Sequence, residues 1–144
     1  MPAEGRLLQE IQLDNGLTIY FHDQSKAIVG NRWQLTLKIT VPMVVKEEYF
    51  SECSDPRGAF HEFTAAFGST VDFALEKVRN FVGDNEAAVV MEQMTQEFLE
   101  SNRAYISNAK FPGKFILKKY IQWKEEAGYR KSHIAAIKKA DPEV

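Results

Sequence analysis

The stretch DNGLTIYFHDQSKAIVGNRWQLTLKITV, residues 14–41, decides the fold. Along it, and just upstream of it, apolar and polar side chains alternate. A period of two residues over this length is typical of β-strands that are buried on one face. The sequence therefore predicts three strands that turn one set of apolar side chains inward: Ile11, Leu13, Leu17, Ile19, Phe21, Trp33, Leu35, Leu37, Ile39 and Val41.

The turn at residues 14–16 has the sequence Asp-Asn-Gly. Its length follows from the requirement that the apolar residues on both sides of it share one face of the sheet. A two-residue loop would place the apolar residues before and after the turn on opposite faces. A three-residue loop pairs Leu13 with Leu17 and keeps both sets on one face. We therefore expect a three-residue loop in which Gly16 adopts the left-handed conformation that follows a type I turn.

The second hairpin is interpreted by the same rule. If Phe21 lies opposite Trp33, residues 24–30 form the connection between the two strands. His22 then lies on the other face of the sheet, across from Arg32. His22 and Asp23 point to opposite faces, so the cluster His22, Asp23, Ser25 is interpreted as strand and turn and not as a catalytic triad, which needs its members in hydrogen-bond contact.

The rest of the chain alternates helical and strand patterns. We predict a helix over about 56–67 with Asp55 as N-cap, a strand from 71 to about 81, and a long helix over about 85–104 with Asp84 as N-cap. A further helix opens at Pro112 and ends at Gly128, and Ser132 caps a last short helix.

The resulting order, βββ-α-β-α-α-α, predicts an α+β fold in two layers. An antiparallel sheet of about four strands has helices packed on one face, and residues 1–144 form a single domain. The opposite face of the sheet is expected to be polar, with Tyr20, His22 and Lys38 among its residues. Pro42 is expected to interrupt the third strand.

Motifs for catalysis and metal binding are incomplete. His61-Glu62 begins the zinc motif H-E-x-x-H, but Ala65 stands where the second histidine is needed. The single cysteine, Cys53, has acidic neighbours that disfavour a thiolate. We therefore predict no catalytic residue, no metal site and no cofactor.

Charge is distributed unevenly along the chain. Residues 1–109 carry a net charge of −7, whereas residues 110–139 carry +7, although the whole chain has only −2. The basic segment interleaves lysines and arginines with aromatic residues, which suits either a solvated helix face or an anionic partner. The lysines could also lie against the acidic part of the chain, within a monomer or across a homodimer. The basic candidates for binding a nucleic acid, a phospholipid surface or an acidic protein are Lys118, Lys119, Arg130 and Lys131.

Two functions remain open from the sequence. The first is a non-enzymatic binding or adaptor domain that uses the basic helices and the polar sheet face around His22 and Arg32. The second is a small-molecule-binding protein or enzyme with a pocket between sheet and helices. A sizeable pocket that holds His22 or His61 beside a carboxylate would favour the second.

The segments DNGLTIYFHDQS and GNRWQL, within residues 14–37, resemble small uncharacterised bacterial proteins. This resemblance implies a bacterial origin and no particular activity. No apolar run approaches the ~20 residues that a membrane-spanning helix needs. We accordingly expect a soluble, cytoplasmic protein.

Overall fold

The computed structural model describes the backbone of residues 5–140 and the side chains of residues 5–128. Its strands and helices form a two-layer α+β fold, as the sequence predicts. The strands are β1 (Arg6–Gln12), β2 (Thr18–Asp23), β3 (Lys26–Ala27), β4 (Arg32–Val44) and β5 (Thr70–Gly83). A short 3₁₀ turn (Glu47–Phe50) precedes the helices α1 (Pro56–Phe67), α2 (Ala87–Ile106) and α3 (Phe111–Ala140).

All strand pairs in the sheet are antiparallel. β1 pairs with β2, β2 and then β3 pair with one edge of β4, and β5 pairs with the other edge of β4 along nearly its full length. The sheet therefore has five strands instead of about four, because the predicted second connection contains β3.

The first hairpin has the predicted loop. The N–H of Leu13 donates to the carbonyl of Leu17, 2.8 Å away, so three residues form the loop between them. Gly16 has a φ of 87°, in the left-handed region. Burial of one face was therefore enough to determine this turn.

The predicted register of the second hairpin is wrong. Phe21 lies opposite Ile39, not opposite Trp33. The strand continues through β3 to Ile28, whose N–H donates to the carbonyl of Arg32, and the loop consists of residues 29–31 with Gly30 at a φ of 69°. The register is shifted by an even number of residues, so every side chain keeps its predicted face.

The core lies between the odd-numbered side chains of the sheet and the helices. In β4, the inward residues Leu35, Leu37, Ile39, Val41 and Met43 are all at most 2% exposed. α2 covers β2, where the ring of Phe98 meets Phe21 edge-on with centroids 5.9 Å apart. The other end of the sheet is covered by an aromatic cluster from the 3₁₀ turn, α1 and α3: Phe50, Phe60, Phe63, Phe67, Tyr120 and Trp123.

Pro42 does not interrupt β4, which runs on to Val44. The paired residues of β2 end opposite Thr40, so at Pro42 the strand has a paired neighbour only in β5. A residue without an N–H is tolerated where one side of a strand is open.

The helix ends differ in how well the sequence predicts them. Asp55 caps α1 as expected, its carboxylate accepting from the N–H of Gly58. Asp84 does not cap α2, because its carboxylate accepts from the indole of Trp33 instead. Gly128 does not end α3, and the separate last helix predicted at Ser132 is the continuation of α3 to Ala140.

Candidate functional site

The two sheet residues proposed from the sequence as binding residues lie apart. His22 is half-buried on the outer face, opposite Lys38 and not opposite Arg32 as the wrong register implied. Arg32 is exposed at the start of β4 and pairs with Gly83. Six residues of strand separate Lys38 from Arg32, or about 20 Å, so His22 and Arg32 do not form one site.

The basic candidates on α3 differ in their surroundings. Lys118 is exposed, whereas the ammonium of Lys119 lies over the ring of Phe67, 4.8 Å from its centroid. Lys124 forms an ion pair with Glu62 at 3.2 Å. The side chains of Arg130 and Lys131 lie outside the described residues. Two of the described lysines thus contact the protein's own α1.

His61 and Cys53 do not assemble a reactive centre. His61 is exposed, and Glu62 beside it accepts a hydrogen bond from the Tyr120 hydroxyl at 2.7 Å. Cys53 is a half-buried free cysteine. Among the described residues there is no group of three or more histidine, cysteine or acidic side chains placed to hold a metal ion.

A cleft of about 600 Å³ lies between α2 and the inner face of the sheet, and we call it the α2 cleft. Neither His22 nor His61 lines it. Its apolar floor includes Leu35 and Met91, both buried. The described residues around it come from β1, β2, β4, α2 and the connecting segments: Arg6, Leu8, Gln9, Asp23, Ser25, Trp33, Leu35, Asp84, Ala87, Ala88, Met91, Glu92, Thr95 and Gln96.

A β-bulge in β1 forms one wall of the α2 cleft. The pairing of β1 with β2 shifts by one residue between Leu7 and Gln9. Without this shift Leu7 would face inward opposite Asp23, since facing residues of antiparallel strands share a side of the sheet. With the shift Arg6 takes that place, and Leu7 turns outward, where it is 48% exposed.

A second bulge, in β5, lies beside Trp33, which lines the cleft. The register of β4 with β5 changes between Trp33 and Leu35, so that Asn80 and Phe81 together face Gln34. Val82 then pairs with Trp33, and Phe81 is 70% exposed with a φ of 60°. A large side chain at positive φ is strained, and such strain tends to occur at functional sites.

Asp23 and Ser25 form a fixed polar corner at the β1 side of the cleft. The carboxylate accepts from the N–H of Ser25 at 2.8 Å and pairs with Arg6 at 3.3 Å. The Ser25 hydroxyl accepts from the N–H of Thr36 at 3.0 Å. Burial raises the pKa of Asp23, but hydrogen bonds from Ser25 and the Arg6 guanidinium outweigh burial, so the pKa lies below its usual value.

Trp33 and Asp84 form the corner at the β5 side. The indole N–H of Trp33 donates to Oδ1 of Asp84 at 2.9 Å. The chain is held there by a further bond from the N–H of Asp84 to the carbonyl of Asn31 at 2.9 Å. The aromatic ring is therefore fixed at the edge of the cleft beside a carboxylate.

The described lining of the cleft combines a buried apolar floor with a few polar side chains. Among the described residues that line the cleft there is no histidine, cysteine or lysine that could activate a nucleophile. The Ser25 hydroxyl is engaged by the backbone of Thr36 and by Asp23. An apolar floor with a few fixed polar groups is the usual composition of a ligand pocket.

The sequence contained one signal for this site that was missed. Asp23 and Ser25 occupy odd-numbered positions, which face inward, directly after the buried Phe21. Polar residues at inward positions indicate where the core ends. The contributions of Arg6, Asp84 and Glu92 had no such signal, because they depend on two bulges and on where α2 crosses the sheet.

No helix among the described residues is long and apolar enough to cross a membrane. Comparison of the chain with protein-family models, with curated proteins and with solved structures finds no match in any of the three. The geometry of the α2 cleft is therefore the basis on which a function can be proposed.

Proposed function

We propose that this chain is a non-enzymatic binding protein that holds a small organic molecule in the α2 cleft. The observation that carries the proposal is the cleft itself, about 600 Å³ in volume, with a buried apolar floor and polar side chains at both ends. Pockets of roughly 300–1,000 Å³ enclose most of the surface of a small organic ligand.

The two bulges change which side chains point inward near this end of the sheet. Each one turns a large apolar side chain outward, Leu7 or Phe81, and the next residue, Leu8 or Val82, packs partly buried against the core instead. Bulges are common beside active sites, where they redirect a side chain. Here the β1 bulge brings Arg6 opposite Asp23, and both residues line the cleft.

A thermal-shift screen with a library of small organic molecules tests the proposal. A ligand that binds the folded state raises Tm by mass action. Ala88 lines the cleft and Ala104 lies exposed further along α2, so Ala88→Trp should fill the cleft while Ala104→Trp serves as the matched control. We expect hits that Ala88→Trp abolishes and Ala104→Trp retains. A screen without hits, or with hits that Ala88→Trp leaves unchanged, would contradict the proposal.

A second candidate is binding of an anionic partner, a nucleic acid or acidic protein, through the basic residues of α3. It is supported by the +7 net charge of residues 110–139 and by the exposure of Lys118. We expect the protein to be retained on heparin at ~50 mM salt and to bind more weakly at higher salt. Binding releases counterions from the polyanion, and added salt opposes this release. Lys118→Glu should reduce that retention, and absence of retention at low salt would rule this candidate out.

We also propose that the protein is cytoplasmic and of bacterial origin. The location is supported by the single cysteine, which suits a reducing compartment. The origin is supported by the resemblance of residues 14–37.

A further inference from the structure

We infer that the ligand of the α2 cleft is an organic cation with an apolar body, such as a primary amine on a small hydrocarbon or aromatic group. The inference rests on the proposed function and specifies its ligand class.

The charge of the α2 cleft is negative. Among the described residues, its lining contains three carboxylates, from Asp23, Asp84 and Glu92, and one guanidinium, from Arg6. The carboxylates come from three separate parts of the fold: β2, the segment after β5, and α2. A concave site lined by one sign of charge concentrates ligands of the opposite sign.

The one cationic side chain in the described lining of the cleft, Arg6, is already paired. Arg6 lies 3.3 Å from the Asp23 carboxylate, so an anionic ligand would compete with an internal carboxylate for it. Asp84, at the β5-side corner, and Glu92, on α2, are exposed and line the cleft. Asp84 holds the Trp33 indole through Oδ1, and its other carboxylate oxygen can face a ligand. The arrangement therefore favours a positive charge near Asp84 and Glu92 and disfavours a negative one.

Trp33 adds a second interaction with a cation. Its indole is held at the edge of the cleft by the bond to Asp84. Cations are attracted to aromatic faces, most strongly to tryptophan. Leu35 and Met91 at the floor can bury the apolar part of the ligand, so a purely inorganic cation would leave this surface unused.

The experiment compares three probes with the same phenyl body and different charge: phenethylamine, 2-phenylethanol and phenylacetate. The readout is the indole N–H signal of Trp33 in a ¹H–¹⁵N NMR spectrum, assigned with Trp33→Phe. The chain has one other tryptophan, Trp123, which packs against Phe67 and serves as an internal control. We expect phenethylamine to shift the Trp33 signal with the highest affinity of the three probes.

Charge variants test whether the carboxylates cause this preference. Asp84→Asn keeps an oxygen that can accept from Trp33, and Glu92→Gln keeps the shape of the side chain. Each should weaken phenethylamine binding roughly two- to fivefold, as expected for one partly exposed ion pair, and leave 2-phenylethanol unaffected. Glu100→Gln removes an exposed charge of α2 outside the cleft and is the matched control.

The outcomes separate this inference from the proposed function. Binding of 2-phenylethanol or phenylacetate at least as tight as that of phenethylamine would overturn the cationic ligand and leave a binding cleft. A Trp33 signal that none of the probes shifts at millimolar concentration would also overturn it. The function as a binding protein is decided separately, by whether Ala88→Trp abolishes the hits of the thermal-shift screen.

Discussion

At the scale of single residues, Asn15 connects the two layers of the molecule. Its amide nitrogen donates to the carbonyls of Ile106 and Asn108, at 2.8 and 2.9 Å, where α2 ends. Its amide oxygen accepts from the N–H of Leu17 at 3.2 Å. The turn that the sequence identifies from its Asp-Asn-Gly pattern is thus also a cap for the end of α2.

Replacing Asn15 tests this connection. Asn15→Ala loses all three hydrogen bonds, and we expect the free energy of unfolding in urea to fall by ~1–3 kcal/mol. Asn15→Asp should cost more, because a carboxylate cannot donate to two carbonyls and is repelled by the negative end of the helix dipole. Asp14→Ala, at the exposed neighbouring position, is the control. An Asn15→Asp protein as stable as the parent would contradict this role.

Tyr120 gives a second prediction at this scale. Burial raises the pKa of Tyr120 to about 12, and its hydrogen bond to Glu62 adds to the effect. The raised pKa stabilises the fold below the ordinary value of 10.0, and this contribution is lost as pH rises from there to about 12.

The titration can be followed by the ultraviolet absorbance of the phenolate, with Tyr120→Phe identifying the contribution of this residue. Glu62→Gln removes the neighbouring negative charge and should lower the pKa of Tyr120, so that its transition occurs at lower pH. A transition unchanged in Glu62→Gln would show that the carboxylate does not act on Tyr120.

At the scale of elements, alternation in the sequence predicts faces but not bulges. The inward set from Ile19 to Val41 was predicted correctly, because burial of one face leaves no other choice. The predicted register of the second hairpin is wrong, since alternation fixes pairing only to within two residues. The loop consists of residues 29–31, not residues 24–30. The bulges had no signal in the pattern, and Leu7 and Phe81 look like ordinary inward residues.

Phe81 provides the test of the β5 bulge. Its φ of 60° raises the free energy of the folded state by roughly 1–2 kcal/mol for a residue with a side chain, whereas glycine adopts this conformation without that penalty. Because the ring is mostly exposed, little burial is lost on its removal. Phe81→Gly should therefore raise the free energy of unfolding by ~0.5–1 kcal/mol after the greater entropy of unfolded glycine is included.

The matched control is Val78→Gly, which lies in the same strand at a regular position and should be destabilising. If Phe81→Gly destabilises the protein as much as this control does, the backbone at the β5 bulge is not strained.

At the scale of the whole molecule, the fold class follows from the sequence and the site does not. The helix-covered sheet was predicted from the strand and helix patterns. The α2 cleft arises where the core stops, beyond Phe21 and Leu35, and α2 bridges the gap. Its lining joins residues as distant as Arg6 and Glu92, and no local pattern could have shown that they meet.

The most direct test of the α2 cleft as a binding site is a crystallographic fragment screen. Crystals of the protein are soaked with fragments of positive, neutral and negative charge, and electron density is examined over the whole surface. The account predicts density for a positively charged fragment between Trp33 and Met91, with its amino group near Asp84 or Glu92. Fragments that bind elsewhere, with the cleft left empty at high soaking concentrations, would contradict it.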